Sequence, residues 1–292
     1  MSGVEDIPSG PVPGAGTRAG RRGANASLLV GGALVAAVVL LALVSFLWTP
    51  HDPTLVDAPN RLRGPSAAHW LGTDRFGRDV ASQVMVGART TLFVGVVAVG
   101  VAALVGTPLG VLAAMSSRRL GELVMRGNDL VLAFPALLLA IMFGAVFGAD
   151  TLTAMLAIGI ATAPSFARLA RGGAVEVLGT EYVLAARVAG RRRLAIAVRH
   201  VLPNIAGLVI VQTSVSFGIA VLAEAALSFL GLGTRPPTPS WGRMLQESQE
   251  LLTVSPRLAL VPGLAIALAV LGFNLLGDGL RDRLDPRLEA RG

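Results

Sequence analysis

The chain has no cysteine and no lysine: every one of its 25 Lys+Arg positions is arginine. Without cysteine there is no disulfide, no thiolate metal site and no thiol nucleophile. Without lysine there is no phosphate-binding GxxxxGK[ST] loop and no Schiff-base chemistry. If ATP drives this protein, a separate ATPase subunit must bind it with Mg, and the chain needs no cofactor of its own. Charge is scarce too, at 15% of residues against about 25% in soluble domains. The three histidines, His51, His69 and His200, all fall in polar segments. An intramembrane serine protease needs serine and histidine at matching depth, so that class fails on inventory.

What is there is apolar. Hydrophobic residues make up 53% of the 292, mean hydropathy is +0.67, and the apolar residues come in blocks suited to a bilayer. The net charge of +7 does not indicate nucleic acid, because the arginines cluster at the ends of apolar spans rather than along a groove-binding stripe.

Residues 1–26, rich in Gly, Pro and Ser, read as a disordered cytoplasmic tail ahead of a membrane domain over 27–292. Six spans are expected, at 28–48, 90–115, 129–147, 152–167, 205–227 and 258–276. The first, 21 residues long, covers about 31 Å and ends SFLWTP rather than at a small-residue cleavage site, so it stays uncleaved. Pro108 should bend the second span and Pro135 should kink the third. Polar segments 49–89 and 228–256 face outward and the arginine-rich 168–203 faces inward. With both termini cytoplasmic, inside segments hold 17 of the 25 arginines, in keeping with the positive-inside rule.

The inward segment carries the most information. Leu184 and Val188 are one helical turn apart, and Leu194, Ala197, Val198 and Val201 follow i, i+3, i+4, i+7 spacing. Gly190 divides the two runs as a helix-ending glycine does, and Pro203 stops the second. Two short amphipathic helices result, bearing Arg187, Arg191, Arg192, Arg193 and Arg199. On composition alone they fit either a hairpin lying on anionic lipid or a docking element for a soluble partner.

The spacing resembles the EAA loop of ABC-importer permeases, written EAA, three residues, G, nine residues, I, one residue, LP. Ala185, Ala186, Gly190, Leu202 and Pro203 match it; Leu184 replaces the glutamate and His200 the isoleucine. Further blocks resemble the peptide/nickel branch, specifically its C-type members: HWLGTDRFGRD from His69 to Asp79, EAALSFLGLG from Glu224 to Gly233, PPTPSWG from Pro236 to Gly242, NLLGDGLRD from Asn274 to Asp282, and Asp285-Pro286. The resemblance implies an all-α, polytopic type I importer fold in a prokaryotic plasma membrane. It also implies a B-type permease partner, two ATP-binding cassette subunits and an external substrate-binding protein. Glu181, Ala185, Ala186, Gly190, His200, Leu202 and Pro203 would then couple to the ATPase, with Glu181 available in place of the missing carboxylate. Peptides are the expected cargo, with nickel or glutathione as alternatives.

Glu224, near the outer end of the fifth span, admits two readings. It is either a hydrogen-bonding residue of an outer gate, with Ser228 and Trp241 as further gate or path candidates, or the coupling carboxylate of an ion-driven secondary transporter. No metal site is expected: Asp74 and Asp79 with His69 could suggest one, but Arg75 and Arg78 occupy the places where calcium ligands would stand, and Asp–Arg pairs with an Asx turn at Asp74 account for the segment.

Overall fold

A computed structural model describes residues 16–148 and 150–284, with side chains from residue 25. The described residues are helical: α1 (Gly16–Leu47), α2 (Val80–Met115), α3 (Arg118–Leu132), α4 (Ala136–Phe147), α5 (Thr151–Leu178), α6 (Glu181–Val188), α7 (Arg193–Ile196), α8 (Leu202–Phe229), α9 (Trp241–Ser248) and α10 (Arg257–Leu284). Five helices are long and apolar enough to cross a bilayer, and α3 with α4 forms a further, bent candidate.

Helix direction follows from which residues meet. Along the α2–α5 seam, a Cβ on Gly159 would press on the Ala98 carbonyl, one on Gly106 would overlap the Ala163 carbonyl, and one on Gly110 the Ala167 carbonyl. Small residues thus let the two backbones touch, the usual route to tight association where lipid supplies no hydrophobic drive. Both numbers rise together, so α2 and α5 are parallel. The chain leaves the lower end of α2 and re-enters at the upper end of α5, so residues 116–150 must cross once. Pairing of Gly31 with Leu276 and of Gly272 with Leu34 makes α1 and α10 antiparallel. Gly218 against Asn274 and Gly277 against Ser214 do the same for α8 and α10. Six crossings follow, with the described ends of α1 and α10 together on one side, where Arg283 donates to the Asn25 side chain at 3.1 Å.

Several expected boundaries are corrected. The third span is not one helix over 129–147: it begins at Arg118, inside what was read as a loop, and breaks by 84° between α3 and α4. Pro135 has no N–H to continue the ladder and its ring excludes the Val131 carbonyl, so the chain closes on a short Phe134 N–H to Val131 O bond of 3.2 Å and restarts. By contrast, α2 runs unbroken through Pro108. Helix α5 continues to Leu178, eleven residues past the expected end of the fourth span. Helix α2 starts ten residues early, at Val80, α10 runs on to Leu284, and α9 occupies part of the 228–256 connection. Hydropathy marks only the length in lipid, and a backbone satisfied within its own helix has no reason to stop at the interface. The expected disordered tail is helical from Gly16; residues 1–15, and Asp285-Pro286 with the rest of 285–292, lie outside the described residues.

Candidate functional site

At the end of the bundle where α2 and α5 finish, residues 181–203 form a hairpin on a small core of their own. Val183, Ile196 and Val201 are buried with Val111 of α2, Ala170, Ala174 and Leu178 of α5, and Ile205 of α8. Gly190 ends α6 with φ of +75°. Its N–H reaches Arg187 O at 3.0 Å and the Arg191 N–H reaches Ala186 O at 3.1 Å, the paired bonds of a Schellman cap. A Cβ at Gly190 would meet nothing within 4 Å, so only the backbone conformation requires glycine there.

The return strand of the hairpin passes through a π-helical turn at 197–201, with the Leu202 N–H bonded to Ala197 O. Pro203 explains the wide turn: an α-turn would drive its ring into the Arg199 carbonyl, which also loses its donor. The Asn204 side chain donates to His200 O at 2.7 Å. His200, where the resemblance expects isoleucine, places its ring 6.0 Å from that of Tyr182 and so ties the return strand to α6.

Most of the apolar stripe faces away from the bundle, and Val201 alone of its members is fully buried. Leu184 and Leu194 are exposed, Val198 is more than half exposed, and Val188 is 90% exposed. Arg187, Arg191, Arg192 and Arg193 on the same segment are exposed too, and Ala185 is exposed while Ala186 is half-buried. Periodicity found the amphipathic helices but did not fix which face meets the bundle. Both sides of α6 carry valine or leucine, so spacing does not tell Val183, which anchors, from Leu184, which projects. Glu181 is exposed in the first turn of α6, where the helix dipole favours a carboxylate, and it neighbours Leu184 at i, i+3. Leu202 and Pro203 are exposed at the start of α8.

Glu224 sits at the other end of α8 and is 3% exposed. Ser228 Oγ donates to its Oε1 at 2.7 Å, and the Thr234 N–H reaches Ser228 Oγ at 3.3 Å. The opposite oxygen, Oε2, is buried without a protein partner, as are the Thr91 and Thr234 hydroxyls. Trp241 is 1% exposed and acts as a wedge. Its indole N–H donates to Val84 O at 3.0 Å and its ring fills the space beside Gly87. Ser228 and Trp241 are therefore enclosed by this chain's own helices. A nearby cleft of about 480 Å³ is lined by Phe46, Arg89, Phe93, Asp150, Thr234 and Arg235, among others.

Ion pairs brace the same end of the bundle. Arg78 donates to Asp74 Oδ2 at 2.6 Å and to Glu247 of α9, which also receives Arg243 at 2.9 Å. The Phe76 and Arg78 N–H groups both bond Asp74 Oδ1, the expected Asx turn. Asp79 departs from that pattern: its ionic contacts are His69 and His51.

Residues 106–290 match the family described as binding-protein-dependent transport system inner membrane component. The chain is 42% identical over 266 residues to the dipeptide transport system permease protein DppC of Alkalihalophilus pseudofirmus, covering 91% of this chain and 88% of the relative. It is 41% identical over 258 residues to the glutathione transport system permease protein GsiD of Pectobacterium atrosepticum, covering 87% and 85%. An inward-facing structure of the MetNI methionine ABC transporter shares the fold, with a TM-score of 0.54 and 16% identity over 72% of this chain and 96% of that one. The hairpin with its exposed arginines, the helical bundle and these matches agree: the chain belongs to the binding-protein-dependent inner membrane components, as a permease subunit of an ATP-binding cassette importer that itself carries no ATPase site.

Proposed function

We propose that this subunit carries short peptides inward, paired with a B-type permease homologue and driven by two ATP-binding cassette subunits that hold ATP and Mg. The motors grip residues 181–203 from the cytoplasm, a substrate-binding protein delivers cargo outside, and both termini are cytoplasmic. Glu181, Ala185, Ala186, Gly190, His200, Leu202 and Pro203 form or shape the coupling surface. One observation carries the reading: a hairpin mounted on its own core presents Leu184, Val188, Leu194 and Val198 to solvent along the same segment as the exposed Arg187, Arg191, Arg192 and Arg193. Isolated apolar residues on a surface need no explanation, whereas a clustered set rimmed by charge fits a protein partner. Closure of the motors displaces the hairpin, and its anchoring core passes the movement to α5 and α8, alternating access to the pore. Peptide cargo is favoured because the relatives are named for dipeptide and for glutathione, itself a tripeptide.

The test is uptake by the four-part membrane complex in proteoliposomes, with binding protein outside. Labelled dipeptide should accumulate only with ATP inside, persist with a protonophore, and survive Glu224→Gln, whose amide oxygen still accepts from Ser228. Accumulation that collapses with the proton gradient, or with Glu224→Gln at normal complex yield, would replace this reading by the ion-driven one. ATP-driven uptake of nickel alone would replace the cargo.

A further inference from the structure

The end of α2 remote from the hairpin holds a cluster that transport by the bundle does not use. His51 follows the first crossing, His69 lies in the loop, and Asp79 caps α2; one ligand-capable atom from each falls within 4.8 Å of the others. His69 Nδ1 is 3.0 Å from Asp79 Oδ1 and His51 Nδ1 is 3.8 Å from the same oxygen. Donors held at 2.0–2.1 Å around a tetrahedral ion stand about 3.3 Å apart, which these two separations bracket.

The three groups are fixed before any ligand arrives. Asp79 Oδ2 accepts from the Ser82 N–H at 2.8 Å and from Ser82 Oγ at 2.7 Å, leaving Oδ1 for the histidines. The His51 N–H is held by Ser82 Oγ at 2.9 Å and its carbonyl by Thr49 Oγ1 at 2.9 Å. The His69 N–H is held by Ser66 Oγ at 3.0 Å, and its carbonyl accepts from the Ser66 and Gly72 N–H groups. The imidazoles stack with centroids 4.5 Å apart. Ser82 thus orients the Asp79 carboxylate as a partner of a ligating group does, and the backbone bonds fix where the two imidazoles start from.

A hydrogen bond to Asp79 accounts for His69 alone. It leaves His51 Nδ1 buried with no partner, and a single cation would satisfy both rings. Burial is graded: the Asp79 side chain is 1% exposed, His69 15% and His51 40%. That gradient gives an entry path and an open side for a water ligand. Two imidazoles and one carboxylate suit zinc, iron(II), cobalt or nickel rather than calcium or magnesium, which want more oxygen.

We propose that His51, His69 and Asp79 bind one divalent first-row transition cation, which clasps the segment after the first crossing and the following loop to the start of α2. The inference is independent of cargo and of ATPase coupling.

The full chain, purified in nanodiscs without a polyhistidine tag, is titrated with Zn²⁺ against a chromophoric chelator and with Co²⁺ by visible absorption. One equivalent should bind and raise the thermal midpoint. His51→Gln leaves the Asp79 cap intact, so its metal-free midpoint should match the parent while Zn²⁺ affinity falls at least about tenfold, a loss that even outer-shell changes produce. His200→Gln, which alters the remaining histidine, should bind as the parent does. No stoichiometric binding by the parent, or equal affinity in His51→Gln, overturns the site; so does a loss as large in His200→Gln.

Discussion

At the residue scale, Gly190 separates conformation from contact. Its φ is +75° and the space around it is open, so a substitution is judged by backbone preference alone. A β-branched residue in the left-handed region costs roughly 1–2 kcal/mol, enough to unwind the Schellman cap and let α6 run on. Gly190→Val should therefore cut ATP-coupled uptake roughly five- to thirtyfold, by this strain appearing in each coupled movement, while complex yield stays normal. Asparagine tolerates the same conformation, so Gly190→Asn should retain most uptake. Side-by-side vesicle assays check both; equal activity of the two variants would remove the cap from the coupling mechanism. The position was legible because glycine after an amphipathic run has a specific mechanical meaning. His51 was not: its partners are 18 and 28 residues away, and no local pattern joins them.

At the element scale, two valines in α6 divide mounting from docking. Val183 is fully buried in the core under the hairpin, and Val188 is 90% exposed. Val183→Asp places an unpaired charge in that core, a change worth several kcal/mol in effect, and should lower the thermal midpoint of the detergent-solubilised complex by many degrees. Val188→Asp should leave the midpoint within about a degree, as exposed substitutions alter stability by under 0.5 kcal/mol, yet reduce ATPase subunit capture severalfold. Pull-down with purified ATPase, alongside thermal unfolding, reads both. Capture unaffected by Val188→Asp would mean the exposed face meets lipid instead. The sequence made the two helices and their glycine joint plain, since caps and breakers are local. It left their orientation open, because α6 is apolar on two sides and only tertiary contact with Val111, Ala174 and Ile205 selects one. In the third span the expected kink at Pro135 is present but sharpened to an 84° break, and the span starts earlier than expected. Pro135 signals a kink, but whether a helix bends or breaks depends on what covers the freed carbonyls.

At the scale of the whole molecule, orientation and crossing number stand or fall together. Parallel packing of α2 and α5 demands that the broken α3–α4 pair crosses once, although α4 alone, at 12 residues, spans only about 18 Å. An odd number of crossings before α5 then puts the hairpin on the side of the described ends of α1 and α10 and the histidine cluster on the other. The absence of cysteine makes this directly measurable, since single cysteines can be introduced against a blank background. Leu55 and Val188 are both well exposed and lie at opposite ends of the bundle. In intact cells a membrane-impermeant maleimide should label Leu55→Cys and spare Val188→Cys, and permeabilisation should expose the second. The arginine distribution predicts that sign, and helix packing independently predicts the opposition. Labelling of both residues in intact cells would break the six-crossing topology. Labelling of Val188→Cys alone would preserve the topology but invert it, leaving the hairpin outside the cell, where no ATPase could reach it.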